Sequence, residues 1–225
     1  MKKNSVVVFR VALGVAVWFL ITKGFALWLE PRIFAGLPDA LRLILKQMLV
    51  PYTLGLAGFY LVAGKMEKKE PIGEQKVTAW LLLKSLLIQM GLSLPIAAVI
   101  NILIVVLGGT ISNPMAKEMF GANWIFYAVL LLLFNPVMEE ILFRKLALDR
   151  LLVIGEKKAV IISSVLFALP HVISQGLPQM CATFVLSLVW GNLRVKTGKL
   201  WPCIVLHGCF NLISGYIIQA LTMIN

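Results

Sequence analysis

The chain is a succession of long apolar runs separated by short polar stretches, most of them basic. Seven apolar runs fall at about 5–29, 41–64, 79–108, 122–143, 158–175, 179–193 and 200–222. A helix crosses the hydrocarbon layer of a bilayer with roughly 20 such residues. The pattern therefore predicts an all-α fold, a polytopic transmembrane helical bundle of about seven to eight spanning helices, with residues 1–225 forming one membrane domain. The run 79–108 would be about 45 Å long as a straight helix at ~1.5 Å per residue. Splitting it near Pro95 would invert every later loop, so it is read as one tilted or kinked helix. Residues 31–40, with Pro31, Gly36, Pro38 and Asp39, read as an extracytoplasmic turn or interfacial stretch. Residues 144–156, where Arg144, Lys145, Asp149 and Arg150 alternate with leucines, read as a helix on the cytoplasmic surface.

Charge sets the orientation. With the amino terminus inside, fourteen basic residues share one side: Lys2 and Lys3, the cluster from Lys65 to Lys76, the cluster from Arg144 to Lys158, and Arg194, Lys196 and Lys199. Only Arg32 and Lys117 lie opposite. Basic loops stay cytoplasmic, so the expected location is the cell membrane, multi-pass, with a cytoplasmic amino terminus. Arg10, Lys23, Arg42, Lys46 and Lys84 interrupt apolar runs and are expected to snorkel toward headgroups.

Composition agrees: 60% of the residues are hydrophobic and 14% charged, far from soluble usage. The net charge of +11 would point to nucleic acid in a soluble chain; here anionic lipid explains it, and no nucleic-acid partner is expected. Cys181, Cys203 and Cys209 sit in apolar runs and read as small buried residues rather than a disulfide framework. Met1-Lys2-Lys3 before an apolar run imitates a secretory signal, but Arg10 interrupts the run, which favours an uncleaved first helix.

Chemistry is concentrated in a few polar residues. Ionisable side chains inside a membrane segment are costly enough to mark function by default, and Glu139, Glu140 and Arg144 fall within six positions. Glu140 and Arg144 are four apart and can pair on one helix face, whereas Glu139 lies about 100° around and stays free. The alternative is a solvated helix end. The only two histidines, His171 and His207, also lie in apolar runs, with Phe167 one turn before the first and Asn211 one turn after the second. A carboxylate beside a histidine can take a proton from water while a second histidine and an amide donate to an oxyanion. Glu139, His171 and His207 are equally a ligand set for an open zinc site. No His-Glu-x-x-His helix and no Gly-x-Ser-x-Gly elbow occurs. With the fifth helix starting at 158, His171 lies about 20 Å from the cytoplasmic edge by helical rise. That helix must then start later, bend at Pro170, or line a deep water-filled cavity opening to the cytoplasm.

Taken together, Glu139-Glu140 with Arg144, Phe167 with His171, and His207 with Asn211 resemble the motifs of the CPBP family of intramembrane endopeptidases, also called Abi. That family is named for CAAX proteases and bacteriocin-processing enzymes. The resemblance covers about 122–215 and implies a glutamate-dependent hydrolase of a membrane-associated peptide or protein substrate. By it, Glu139 and His171 activate water, His207 and Asn211 steady the oxyanion, and Glu140 with Arg144 holds the surroundings of the first glutamate. It leaves open whether zinc takes part, although the family carries a metalloprotease label. Relatives resembling the Ras-converting endopeptidase trim prenylated CAAX tails; a compact chain resembles the bacterial branch, linked to bacteriocin immunity and peptide maturation. The rival readings are a catalytically silent immunity or binding protein of the same family, and a proton-coupled carrier, for which the inverted repeat of many carriers is missing.

Overall fold

The computed structural model describes residues 3–110 and 118–224, so Lys2 and Lys117 of the charge pattern lie outside the described residues. Seven long helices and no strand occur among them: α1 Asn4–Ile33, α2 at 39–63, α3 Ala79–Val106, α4 Trp124–Ile154, α5 Glu156–Gln175, α6 Leu177–Thr197 and α7 Trp201–Leu221. Five of them, α1, α3, α4, α5 and α7, are long and apolar enough to cross a membrane. This is the architecture of a multi-pass membrane protein.

Helices α1 and α2 pack as a hairpin around Phe59 and Ala63, both fully buried. The Trp18 indole donates to the Pro51 carbonyl at 2.9 Å, and the Arg10 guanidinium donates to the Val62 carbonyl at 2.7 Å. Arg10 therefore satisfies a neighbouring helix end rather than snorkelling. Arg42 and Lys46 likewise turn inward to Glu30, which is 1% exposed. A buried carboxylate is tolerable only when paired, and these two cations supply the pairing. The 31–40 region is a turn over 34–38 between α1 and α2, as the prolines and glycine lead one to expect.

The main departure from expectation concerns residues 144–156. They form no surface helix: α4 continues unbroken from Trp124 to Ile154, and Arg144, Leu146–Leu148, Asp149, Arg150 and Leu151 are all buried. The charges along this stretch are taken up by neighbours. Arg150 donates to the carbonyls of Ala63 (2.7 Å) and Leu146 (2.8 Å), and Asp149 pairs with Arg194 at 3.2 Å. Three of the basic residues counted for orientation, Arg144, Arg150 and Arg194, are thus internal; the remainder of the bias is unchanged.

Because α4 is longer than expected, the depth difficulty at His171 disappears. Gly155, with φ of 101°, makes the tight turn into α5. Glu139 and His171 each lie sixteen residues from it, and Phe143 and Phe167 each twelve, with ring centroids 4.9 Å apart. Sixteen residues are about 24 Å of helix, so the glutamate and the histidine reach the same level on antiparallel helices. The α6–α7 turn at Gly198 works similarly: Trp190 lies eight residues before Gly198 and His207 eight after Lys199, and their rings stack at 4.5 Å. Pro170 is accommodated within a continuous α5.

Candidate active site

The site forms where α4, α5, α6 and α7 face one another, at the level of Glu139 on α4 and His171 on α5. Glu139, Phe167, His171, His207 and Asn211 line one cavity of about 70 Å³. A single water needs roughly 10–15 Å³ on this measure, so the space admits a few waters. Glu140 and Arg144 do not line it; both are fully buried behind it.

Glu140 is tied on both sides. One oxygen, Oε1, accepts from His207 Nδ1 at 3.2 Å. The other, Oε2, lies 3.1 Å from Arg144 Nε, close enough for strong charge attraction but not aligned as a hydrogen bond. Arg144 in turn donates from Nη2 to the Ser187 hydroxyl at 2.8 Å, and its guanidinium carbon sits over Phe167, 4.4 Å from the ring centroid, with Trp190 at 5.4 Å. A guanidinium stacked on aromatic faces keeps part of the stabilisation that water would have given it.

His207 is fixed by the same network. A carboxylate only accepts, so Nδ1 carries a proton and Nε2 is directed to the other glutamate, 3.9 Å from Glu139 Oε2. Trp190 holds the ring by stacking, and the Trp190 indole donates at 2.7 Å to the Gln89 side chain. Gln89 completes the chain by donating to the Leu206 carbonyl at 3.0 Å. The other histidine is oriented locally: His171 Nδ1 is 3.0 Å from the Phe167 carbonyl, one turn earlier, so this nitrogen donates and Nε2 carries the lone pair. Asn211 donates one amide hydrogen to the Leu131 carbonyl at 2.8 Å, which ties α7 to α4 beside the cavity and leaves the second hydrogen available.

Next to these residues the motif helices widen. Wide i→i+5 turns occupy Leu130–Phe134 and Ile141–Leu148, on either side of Glu139-Glu140, and Asn211–Ile218 after His207. Such turns rotate the following side chains around the axis and recur at functional sites.

The arrangement does not have the geometry of a zinc site. Among the described residues no three His, Cys, Asp or Glu side chains converge as a metal site would require. His207 has one nitrogen on Glu140 and the other toward Glu139, and His171 has one nitrogen on a backbone carbonyl. Glu139, His171 and His207 thus share a cavity without the geometry of a three-ligand site.

Sequence reasoning missed Gln89, Trp190 and Ser187, which support the motif residues from α3 and α6. Gln89, completely buried in a long apolar run, could have been found by the rule that polar residues in a span need a reason. Ser187 resembles any small packing residue and carried no such signal. Ser163 and Ser174, near His171 in the sequence, bond to the carbonyls of Phe143 and Pro170 as packing hydroxyls do.

Residues 121–213 match the family model described as type II CAAX prenyl endopeptidase Rce1-like. The matched segment carries all three motifs and is consistent with the resemblance to the CPBP family. A family of CAAX endopeptidases supports a protease-type function in general terms. No curated protein and no solved structure matches the chain significantly.

Proposed function

We infer, with the family match over residues 121–213 as the premise, that this protein is an intramembrane endopeptidase in which Glu139 activates water against a peptide bond. The observation that supports this most is the division of labour between adjacent carboxylates. Glu140 is sealed away and spent on Arg144 and His207, while Glu139 faces the cavity without an arginine partner.

The chemistry follows from the positions. Glu139 takes a proton from a water in the cavity, and His171 Nε2 accepts the water's other hydrogen and orients it. The hydroxide oxygen adds to the carbonyl carbon and the C=O π pair moves to oxygen. That oxyanion receives the spare Asn211 amide hydrogen. By the resemblance His207 also steadies the oxyanion, donating from Nε2 when that nitrogen holds a proton. Collapse of the intermediate breaks the C–N bond, and Glu139 returns its proton to the leaving amine.

The substrate is a membrane-associated peptide or protein. By the resemblance to the bacterial branch its role is peptide maturation or bacteriocin immunity, and the excess of basic residues on one side puts the amino terminus in the cytoplasm. The test compares wild type with Glu139→Gln and His171→Ala for cleavage of membrane peptides in cells, with accumulation of each variant checked by immunoblot. Loss of product in both is expected. Full processing by folded Glu139→Gln would remove the hydrolase reading, and lost protection with no cleavage product from wild type would replace it with a binding protein.

A further inference from the structure

The catalytic cavity is closed at one end of the bundle and open at the other. Toward the Gly155 and Gly198 turns it is floored by Phe167 and Trp190, and below them lies the apolar core of Leu146, Ala147, Leu151, Ala159, Val160 and Leu193. The Asp149–Arg194 pair and the Arg150 bonds to the end of α2 cap that core. Toward the Gly176 turn the space continues. A second cavity of about 120 Å³ and a third of about 380 Å³ follow the first, and Gln175, Gln179 and Phe210 line all three. One cleft therefore widens from Glu139 to the end of the bundle carrying the α5–α6 turn.

The lining of this cleft specifies what fits it. Primary amides recur along it, Gln175 and Gln179 with Asn211 at the inner end and Asn101 at the outer, each offering both a donor and an acceptor. No Lys or Arg lines any of the three cavities among the described residues, and Glu139 is their only carboxylate. Amides of this kind pair with the N–H and C=O groups of an extended backbone, whereas a lipid phosphate or a terminal carboxylate calls for a cation. From His207 to Gln219 is twelve residues of α7, about 18 Å by helical rise. Extended chain rises ~3.3 Å per residue, so about five residues fit.

The closed end is also the basic end, with Lys65–Lys69, Lys157, Lys158, Lys196 and Lys199 around it. We propose that the widening cleft between α5, α6 and α7 is the substrate-binding groove, that it takes about five residues of an extended internal peptide segment, and that this segment enters from the extracytoplasmic face. The proposal rests on the endopeptidase reading and on a cytoplasmic amino terminus. It sets the substrate apart from a cytoplasmic carboxy-terminal tail.

Thiol labelling tests it without any need for activity. Cys181 and Cys209 are replaced by serine and the fully buried Cys203 is kept; into this background go Gln179→Cys and, separately, Lys199→Cys. Intact cells and inside-out vesicles are treated with a membrane-impermeant maleimide. Gln179→Cys is expected to label in intact cells and Lys199→Cys only in inside-out vesicles. Labelling of Gln179→Cys only in inside-out vesicles, or only after detergent, overturns the proposal. If Gln179→Cys fails to accumulate, Ser214→Cys, which lines the two outer cavities, takes its place. Outside labelling together with undiminished cleavage by Glu139→Gln would leave the groove standing and remove the hydrolase.

Discussion

Replacing Arg144 by methionine examines the charge network from its centre. The side chain is fully buried, pairs with Glu140 at 3.1 Å, donates to Ser187 at 2.8 Å, and covers the Phe167 ring at 4.4 Å. Methionine keeps much of the packing volume and none of the charge, so the Glu140 carboxylate is left buried with only His207 beside it. Breaking a buried pair from one side costs about 3–5 kcal/mol. At ~2–4 °C per kcal/mol for a chain of this size, the midpoint in detergent should fall by roughly 6–20 °C. Glu140→Gln leaves the guanidinium unpaired and should cost a comparable amount. The double variant removes both charges, so its loss should be smaller than the sum of the two singles by at least about 1 kcal/mol. The assay is thermal unfolding of purified protein in one detergent, read by intrinsic tryptophan fluorescence, for all four members of the cycle. An unshifted Arg144→Met midpoint, or losses that simply add, would refute the reasoning.

Trp190→Phe preserves an aromatic face for His207 but removes the indole N–H, leaving the buried Gln89 oxygen unpaired. About 1–3 kcal/mol of stability should be lost, and Gln89→Leu in the same chain should restore part of it; a neutral single variant by thermal unfolding would contradict the network. Gly198→Ala meets a φ of 66° and places a Cβ 2.8 Å from the Gly73 carbonyl oxygen. The left-handed conformation alone costs roughly 1–2 kcal/mol, so lower accumulation and a lower midpoint are expected, and wild-type values for both would count against the turn geometry. Treating purified enzyme with a chelator should leave the cleavage rate unchanged, because the donor set is committed to carboxylates and a backbone carbonyl. Inactivation reversed by added zinc would show that the ligands rearrange to bind it.

Much of this protein is local and therefore legible along the chain. The seven helices follow from run length, and the spacing of four that brings Glu140 to Arg144 follows from the helical period. What the pattern misread was the end of α4. Arg144, Lys145, Asp149 and Arg150 look like residues leaving a membrane, since the cost of burying a charge is visible in sequence and its compensation is not. The compensation comes from Ala63, Gly64, Ser187 and Arg194, on helices far away in the chain. Only the folded bundle supplies those partners, and with them the extra length that brings Glu139 level with His171. The order and period of the apolar residues determined the helices and the faces of the motifs. The level at which those faces meet, and the end at which the cleft opens, depend on contacts between helices, which no periodicity along one helix encodes.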